Sequence, residues 1–372
     1  MGDPFSFLQR MANLVGFLLI LGLGTSFASE ESDLTAKAMN AYRQGNYDVA
    51  IDCFDKLIQL HVTDSYLGRG KTYFAKKAYD KAIADFDEAI QRRPSAIAFR
   101  FRGEAYSRIG AYEKAVSDYS QAIQRDPSNV YLYLDRANAY FFNREFSTAR
   151  IDCNTAIMLL TKNSGEKQSL ALAYCIKGQT YASENNDDCF TNFEKAIQIN
   201  PKDCLPYLSR AHAFAVNGKL SQAIDDYNIA IQLDPTNAAL YANRAEIDAR
   251  KGDYAKGIED CNKGIKIDPY CGLAYDRLAW ILAVCPDPKI RDGKKALENA
   301  KKACELTAWK KPQCLDTLAA AYAETGDFEE AVTWEQKAIE LDLKDKDLKE
   351  SQERLELYKQ KKHFPFSKGV TH

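Results

Sequence analysis

Carboxylates and arginines are the most regular chemistry-bearing residues of this chain, and each type returns at a fixed position. One position holds Asp85, Asp118, Asp152, Asp226 and Asp260, and another holds Arg69, Arg102, Arg136, Arg210 and Arg244. Each aspartate precedes the next arginine by about 17 or 18 residues where the spacing is regular. Charges that recur with the period of the chain are more typical of structure than of catalysis. We therefore expect ion pairs between neighbouring copies that set their stacking, each contributing little if it is exposed.

Motifs for catalysis or metal binding are missing from the sequence. It contains no G-x-S-x-G, phosphate loop, H-E-x-x-H or glycine-rich dinucleotide fingerprint. The four histidines, His61, His212, His363 and His372, are scattered without metal-ligand spacing. There is also no C-x-x-C. These observations predict a protein that is not an enzyme and that uses no cofactor and no metal.

The ten cysteines divide into two kinds by position. Cys153 and Cys261 stand where other copies have Phe54, Phe86 or Tyr119, so we expect them to be small buried core residues. Cys271, Cys304 and Cys314 cluster near predicted helix ends and could pair. The sequence leaves the connectivity open.

The elements that position these residues are paired amphipathic helices of about 12 to 15 residues. Gly110 and Gly218 separate the two helices of a pair, and Asp-Pro ends the second helix because proline lacks an N–H. The first helix has an aromatic fourth residue (Tyr66, Phe99, Tyr133, Tyr174, Tyr207, Tyr241, Tyr275) and a small eighth residue (Gly70, Gly103, Ala137, Gly178, Ala211, Ala245, Ala279). The small residues predict close helix approach, and the rings fill the space between layers.

The clearest copy is AIAFRFRGEAYSRIGAYEKAVSDYSQAIQRDPSN, residues 96–129. Its period of about 34 residues and its spacing of Gly103, Tyr106, Ala115, Tyr119 and Pro127 resemble the tetratricopeptide repeat. The stretch 273–341 is similar to C-terminal modules of bacterial repeat proteins, some of them exported. The resemblance implies an all-α fold, a right-handed superhelical solenoid of antiparallel helix pairs with a C-terminal capping helix.

The N-terminus has the pattern of a secretory signal peptide. A short charged region is followed by LVGFLLILGLG, residues 14–24, and then by the small-x-small sequence that ends at Ala28. The apolar run is shorter than the roughly 20 residues that a spanning helix needs. We expect cleavage after Ala28 and export to a bacterial periplasm or envelope. The alternative is an uncleaved anchor formed by residues 13–28.

The repeats divide the chain into segments. We expect the signal peptide over 1–28, repeats one to four over 31–163, repeats five to seven over 164–271, and repeats eight and nine over 272–343 with an insertion at 285–293. The polar stretch 161–170 is the candidate for a break within the array. A capping helix is expected over 344–362, with Leu348, Leu355 and Leu357 on its apolar face, and a flexible tail over 363–372.

The resemblance places the binding groove on the first helices, at the second, fifth, ninth and twelfth positions of each repeat. The richest positions in aromatic and cationic residues give the predicted groove set: Lys71, Phe74, Arg100, Tyr131, Leu134, Asn138 and Phe141. Lys71 and Arg100 would meet acidic groups, and Tyr131 and Phe141 apolar ones. The alternative is that Phe141 and its neighbour Phe142 only pack against the next repeat.

Some members of the family hold a C-terminal carboxylate with a Lys/Asn/Asn/Lys/Arg set. In this chain Thr35 and Met39 replace the first Lys and Asn of that set, and Gly68 replaces the second Asn, so binding of a C-terminal carboxylate is not expected.

The sequence predicts a non-catalytic scaffold that binds a protein or peptide segment in the groove. The alternative is a structural subunit of an envelope or secretion complex that assembles through its convex face or ends.

With 50 basic and 52 acidic residues, the net charge of −2 gives no reason to expect nucleic acid as a partner. Membrane contact is expected only through an uncleaved N-terminus, and the oligomeric state is left open.

Overall fold

The computed structural model describes residues 30–162, 166–341 and 345–363. The predicted signal peptide and all but the first residue of the predicted tail lie outside these ranges. Within them the regular structure is helical throughout, which confirms the all-α class. The helices are α1 30–43, α2 Tyr47–Gln59, α3 Ser65–Ala75, α4 Tyr79–Arg92, α5 Ala96–Arg108, α6 Tyr112–Arg125, α7 Val130–Phe142, α8 Phe146–Lys162, α9 Lys167–Ser183, α10 Asp188–Ile199, α11 Cys204–Val216, α12 Leu220–Leu233, α13 Ala238–Lys251, α14 Tyr254–Ile267, α15 Gly272–Val284, α16 Gly293–Leu306, α17 Pro312–Glu324, α18 Phe328–Glu340 and α19 Asp345–Lys359.

Consecutive helices pack in pairs, as the solenoid prediction requires, and the chain forms two compact units. Unit 1 extends to Ser169 and unit 2 begins at Leu170. The boundary lies in the polar stretch 161–170, although α8 continues to Lys162 and α9 begins at Lys167, so the connection is shorter than its polar composition suggested.

The turn inside each pair needs a residue in the left-handed region. Gly110 has φ of 80°, and the N–H of Ala111 donates to the carbonyl of Tyr106 at 2.9 Å. Lys77 takes the same place in the preceding pair with φ of 61°, and the N–H of Ala78 makes the equivalent bond at 2.9 Å. The turn geometry is therefore kept even where glycine, the residue that adopts it most easily, is missing.

Small residues bring the two helices of a pair together, as predicted. A Cβ added to Gly70 would lie 2.7 Å from a ring carbon of the buried Phe86, and one added to Gly178 would lie 2.6 Å from Phe193. No side chain fits there without displacing the ring.

Cys153 is fully buried, as predicted for a residue at the position that holds an aromatic ring in other repeats. Cys261 is buried in the same way, in unit 2.

The recurring charges form pairs in a different arrangement from the one expected. Each arginine binds the aspartate 16 residues later, on the second helix of its own pair, rather than the aspartate of the preceding copy. Arg102 donates from Nε to Asp118 Oδ2 at 2.8 Å and from Nη2 to Asp118 Oδ1 at 2.6 Å. The same two-bond geometry joins Arg69 to Asp85, Arg136 to Asp152, Arg210 to Asp226 and Arg244 to Asp260.

The link between neighbouring pairs uses the remaining guanidinium nitrogen. Arg102 Nη1 donates to Asp87 of the preceding pair at 2.6 Å, and Arg244 Nη1 donates to Asn228 at 2.6 Å. Neighbouring copies are thus joined by the same arginines, through partners that the sequence pattern did not identify. Burial raises the pKa of Asp118, and Arg102 partly offsets this effect.

The last helix, α19, is held by a buried charge. Its buried residues are Ser351, Arg354, Leu355 and Tyr358, whereas Leu357, expected on the apolar face, is only half-buried. Arg354 donates to Asp316 on α17 at 2.8 and 2.9 Å and lies 3.5 Å from Glu335 on α18. The capping helix therefore docks around a paired arginine as well as around leucines.

Candidate functional site

The first helices of unit 1 lie side by side, since α3 contacts α5 and α5 contacts α7. We call the surface formed by α1, α3, α5 and α7 the first-helix face. Two clefts, each of about 430 Å³, are lined mainly by these helices. A volume of this size is typical of ligand sites in proteins.

The first cleft, cavity A, is largely apolar. Its walls include Met39 and Tyr42 from α1, Phe54 and Leu57 from α2, Leu67 from α3 and Phe101 from α5. Gly68 also lines the cavity, and a side chain there would collide with the ring of Phe54. Thr35, Met39 and Gly68 all line this cavity, so the positions used by carboxylate-binding relatives hold an apolar hollow here.

Lys71 brings a positive charge to cavity A. Its Nζ lies 4.5 Å from the centre of the Phe101 ring, and burial lowers the pKa of its ammonium group. Among the described residues, no carboxylate forms an ion pair with it within 4.0 Å. Asp64, at the edge of the cavity, lies 3.4 Å from Arg93. Lys71 is therefore a half-buried cation on the wall of cavity A, with no carboxylate partner among the described residues.

The second cleft, cavity B, is more polar than cavity A and lies between α5, α6 and α7. Arg100, Glu104, Tyr112, Asn138 and Phe142 are among the residues that line it. Phe142 is 58% exposed and stacks on Tyr112, with the ring centres 5.4 Å apart and the planes 15° apart.

Arg100 is paired within the protein. Its Nε donates to Asp135 at 2.7 Å, and its guanidinium lies 5.8 Å from the centre of the Tyr131 ring. Burial raises the pKa of Asp135, and Arg100 counteracts this effect. The bond to Asp135 uses only Nε, so the two terminal nitrogens of Arg100 can still donate to an external acidic group.

The remaining predicted residues differ in how accessible they are. Tyr131 is 42% exposed, and its hydroxyl donates to Glu166. Phe74 is half-buried and packs edge-on against Tyr79 at 5.4 Å. Leu134 is only 2% exposed, so it belongs to the core and offers no surface to a ligand.

Phe141 belongs to a small aromatic group. It lies 5.3 Å from Phe142 and 5.8 Å from Phe146, measured between ring centres. Phe146 begins α8, so Phe141 packs within its own helix pair. Phe142, its neighbour, presents the more exposed ring to cavity B.

Sequence reasoning missed the contribution of α1 to cavity A. The first helix of repeat one has Ala41 in place of the usual tyrosine, and the predicted groove set contains no residue of this helix. The signal that could have revealed the cavity is the set of apolar residues on neighbouring first helices, with Met39 and Tyr42 on α1 and Leu67 on α3.

Metal binding and membrane spanning have no structural support in the described ranges. No group of three or more His, Cys, Asp or Glu side chains there has an arrangement that could hold a metal ion. No helix among them combines the length and apolar character that crossing a membrane requires.

Helix pairs, left-handed turns and small contact residues define a helical repeat protein, and family models identify the repeat. Models described as "Tetratricopeptide repeat" match residues 35–97, 238–271 and 313–341, and one described as "TPR repeat" matches 103–143 and 211–252. The chain belongs to the tetratricopeptide-repeat family. A search of curated proteins finds no match.

The solved structures that match include other tetratricopeptide-repeat proteins. A tetratricopeptide repeat protein from Parabacteroides merdae is 18% identical, with a TM-score of 0.50 over 80% of this chain and 98% of that one. The C-terminal part of a repeat protein from Cytophaga hutchinsonii is 21% identical, with a TM-score of 0.44 over 65% and 98%. YrrB, described as a repeat protein with an unusual peptide-binding site, is 21% identical, with a TM-score of 0.34 over 51% and 95%. Identities this low show the fold alone.

Proposed function

We propose that this protein is a non-catalytic scaffold that binds a protein segment on the first-helix face of unit 1. The observation that carries the proposal is the pair of clefts on that face, one apolar and one of mixed polarity, each large enough to receive side chains of a partner. Exposed rings at Tyr131 and Phe142 provide the aromatic surface that is enriched in binding hot spots.

The mechanism is recognition by a pre-formed surface. The helices that line both clefts are fixed by core packing and by the paired arginines, so the receptor loses little conformational freedom on binding. The partner supplies an extended or helical segment whose apolar groups enter the clefts.

The test is affinity capture from an extract of the source cells with the full chain as bait. The variant Tyr131→Ala/Phe142→Ala removes two exposed rings from the first-helix face. The matched control is Tyr270→Ala in unit 2, which removes a ring that is 79% exposed. We expect a partner that binds the parent and the control but is lost from the double variant. Equal capture by all three would contradict the proposal.

A second candidate is a structural subunit that assembles through its second helices. The observation that favours it is an exposed apolar pair on α8, where Ile151 is 63% and Met158 49% exposed, seven residues apart on one side of the helix. This function predicts that Ile151→Asp/Met158→Asp abolishes incorporation into a larger assembly, measured by size-exclusion chromatography of the extract. The first-helix variant would leave incorporation unchanged.

In either case we propose that the chain acts after export, in a bacterial periplasm or envelope. The support is the charged, apolar and small-x-small order of residues 1–28.

A further inference from the structure

Cavity A combines an apolar wall with a single positive charge that has no carboxylate partner. The other cations that line the two clefts are already engaged: Arg100 binds Asp135 at 2.7 Å, and Arg108 lies 3.4 Å from Glu104. Lys71 contacts the Phe101 ring, and within the described residues no acidic group forms an ion pair with it. A half-buried ammonium group has lost part of its hydration without gaining an opposite charge.

The shape of the cavity selects what can enter. Its volume of about 430 Å³ and its walls of Met39, Phe54, Leu57 and Leu67 suit one large apolar side chain. A polar side chain there would lose hydration without finding donors or acceptors on most of the wall.

We propose that cavity A binds a segment of a partner protein in which a large apolar side chain fills the cavity and a neighbouring Asp or Glu side chain pairs with Lys71. This inference rests on the proposed function and names the chemistry of the segment. An acidic side chain is the better fit than a terminal carboxylate, because several donors normally hold a terminal carboxylate and cavity A offers one ammonium group. The lowered pKa of Lys71 agrees with a cation that a carboxylate would stabilise.

The first experiment is selection from a displayed peptide library with eight random internal positions, using the full chain as bait. Three variants accompany the parent. Lys71→Met removes the charge, and Lys56→Met makes the same charge change at an exposed lysine on α2 that does not line the cavity. Met39→Trp enlarges a rim side chain that is 42% exposed, so that it fills the cavity without disturbing the core.

We expect the parent and Lys56→Met to enrich peptides with an acidic residue within three positions of a large apolar one. Lys71→Met should keep the apolar preference and lose the acidic one, and Met39→Trp should lose both. The best peptide is then synthesised with blocked ends. Replacing its Asp by Asn should weaken binding to the parent about tenfold, as for a charge-assisted hydrogen bond, and should not change binding to Lys71→Met.

Several outcomes would overturn the inference. One is an acidic preference that survives in Lys71→Met, and another is a parent that selects apolar peptides without any acidic preference. A third is equally tight binding of a peptide that has a free C-terminus and no acidic side chain. The selected peptides are also measured against Tyr131→Ala/Phe142→Ala: if they lose binding to that variant but not to Lys71→Met, the proposed function stands and this inference fails. If no peptide is enriched, both fail.

Discussion

Arg102 shows how one side chain can fix three helices. It lies on α5, binds Asp118 on α6 through two nitrogens, and reaches Asp87 on α4 with the third. The Asp118 side chain is nearly buried, whereas Asp87 is half-exposed. The guanidinium fork matches a carboxylate in a way that a lysine could not.

We predict that Arg102→Met destabilises the α5–α6 pair by about 3 kcal/mol, because it leaves the Asp118 carboxylate buried without a partner. Hydrogen exchange of the α5 and α6 amides measures the local opening free energy, which is appropriate for a repeat array. The control is Arg92→Met, which breaks an exposed pair with Glu88 and should cost less than about 1 kcal/mol. Equal destabilisation by the two variants would show that the buried pair stabilises the protein no more than the exposed one.

Glu335 is a buried acid whose charge is unfavourable. It is fully buried on α18, and burial together with the nearby Asp316 raises its pKa well above the ordinary value of 4.5, although Arg354 opposes the shift. A raised folded-state pKa means that its contribution to stability is full below about pH 4.5 and is lost as the pH rises through the raised value.

We therefore predict that Glu335→Gln stabilises unit 2 at pH 8 relative to the parent, and that the difference disappears towards pH 4.5. All three tryptophans, Trp280, Trp309 and Trp334, are in unit 2, so the urea midpoint by tryptophan fluorescence reports this unit. Glu305→Gln, at an exposed site in the same unit, should show no such pH dependence. Destabilisation by Glu335→Gln at every pH would mean that the ionised carboxylate is required.

Sequence reasoning identified which charged residues recur but not how they pair. A period of about 34 residues places an aspartate both 16 residues after one arginine and 17 or 18 before the next, and only the packing of α5 on α6 decides between them. Arg354 was missed for another reason. Amphipathic patterns count apolar residues, and a buried arginine with its carboxylates on two other helices leaves no local signal.

Helix ends were more predictable than side-chain pairs. The second helices α6, α12 and α14 each end at the residue directly followed by an Asp-Pro sequence, because proline cannot continue the helix. The close approach of the paired helices could also be predicted from the sequence. Gly70 and Gly103 have no side chain, so the rings of Phe86 and Tyr119 on the partner helices pack directly against them. The cavity beside α1 could not, because its walls come from three helix pairs whose relative placement the sequence pattern does not give.

The turn between α3 and α4 carries strain that the sequence can relieve. Lys77 adopts φ of 61°, which costs an L-residue roughly 1–2 kcal/mol, whereas Gly110 takes the equivalent turn freely. We predict that Lys77→Gly raises the opening free energy of α3 and α4 by about 1 kcal/mol, measured by hydrogen exchange. Gly110→Ala should lower that of α5 and α6 by a similar amount. If neither variant changes the opening free energy, the left-handed backbone at these turns costs the protein no stability.

The mature boundaries of the whole molecule follow from the export proposal. Cleavage after Ala28 would leave Ser29 as the first residue, immediately before α1 begins at residue 30. We predict that intact-mass measurement of the protein from its native cells gives a chain that begins at Ser29. A protein that retains residues 1–28 and sediments with membranes would instead support the anchor alternative.

Site-specific photo-cross-linking in living cells shows whether partners contact the first-helix face of unit 1. The photoreactive residue p-benzoylphenylalanine replaces Phe142 on the first-helix face or, as the matched control, Ile151 on the second helix of the same pair. We expect a cross-linked partner at position 142 and none at 151. Cross-linking at 151 alone would contradict this expectation and favour assembly through the second helices.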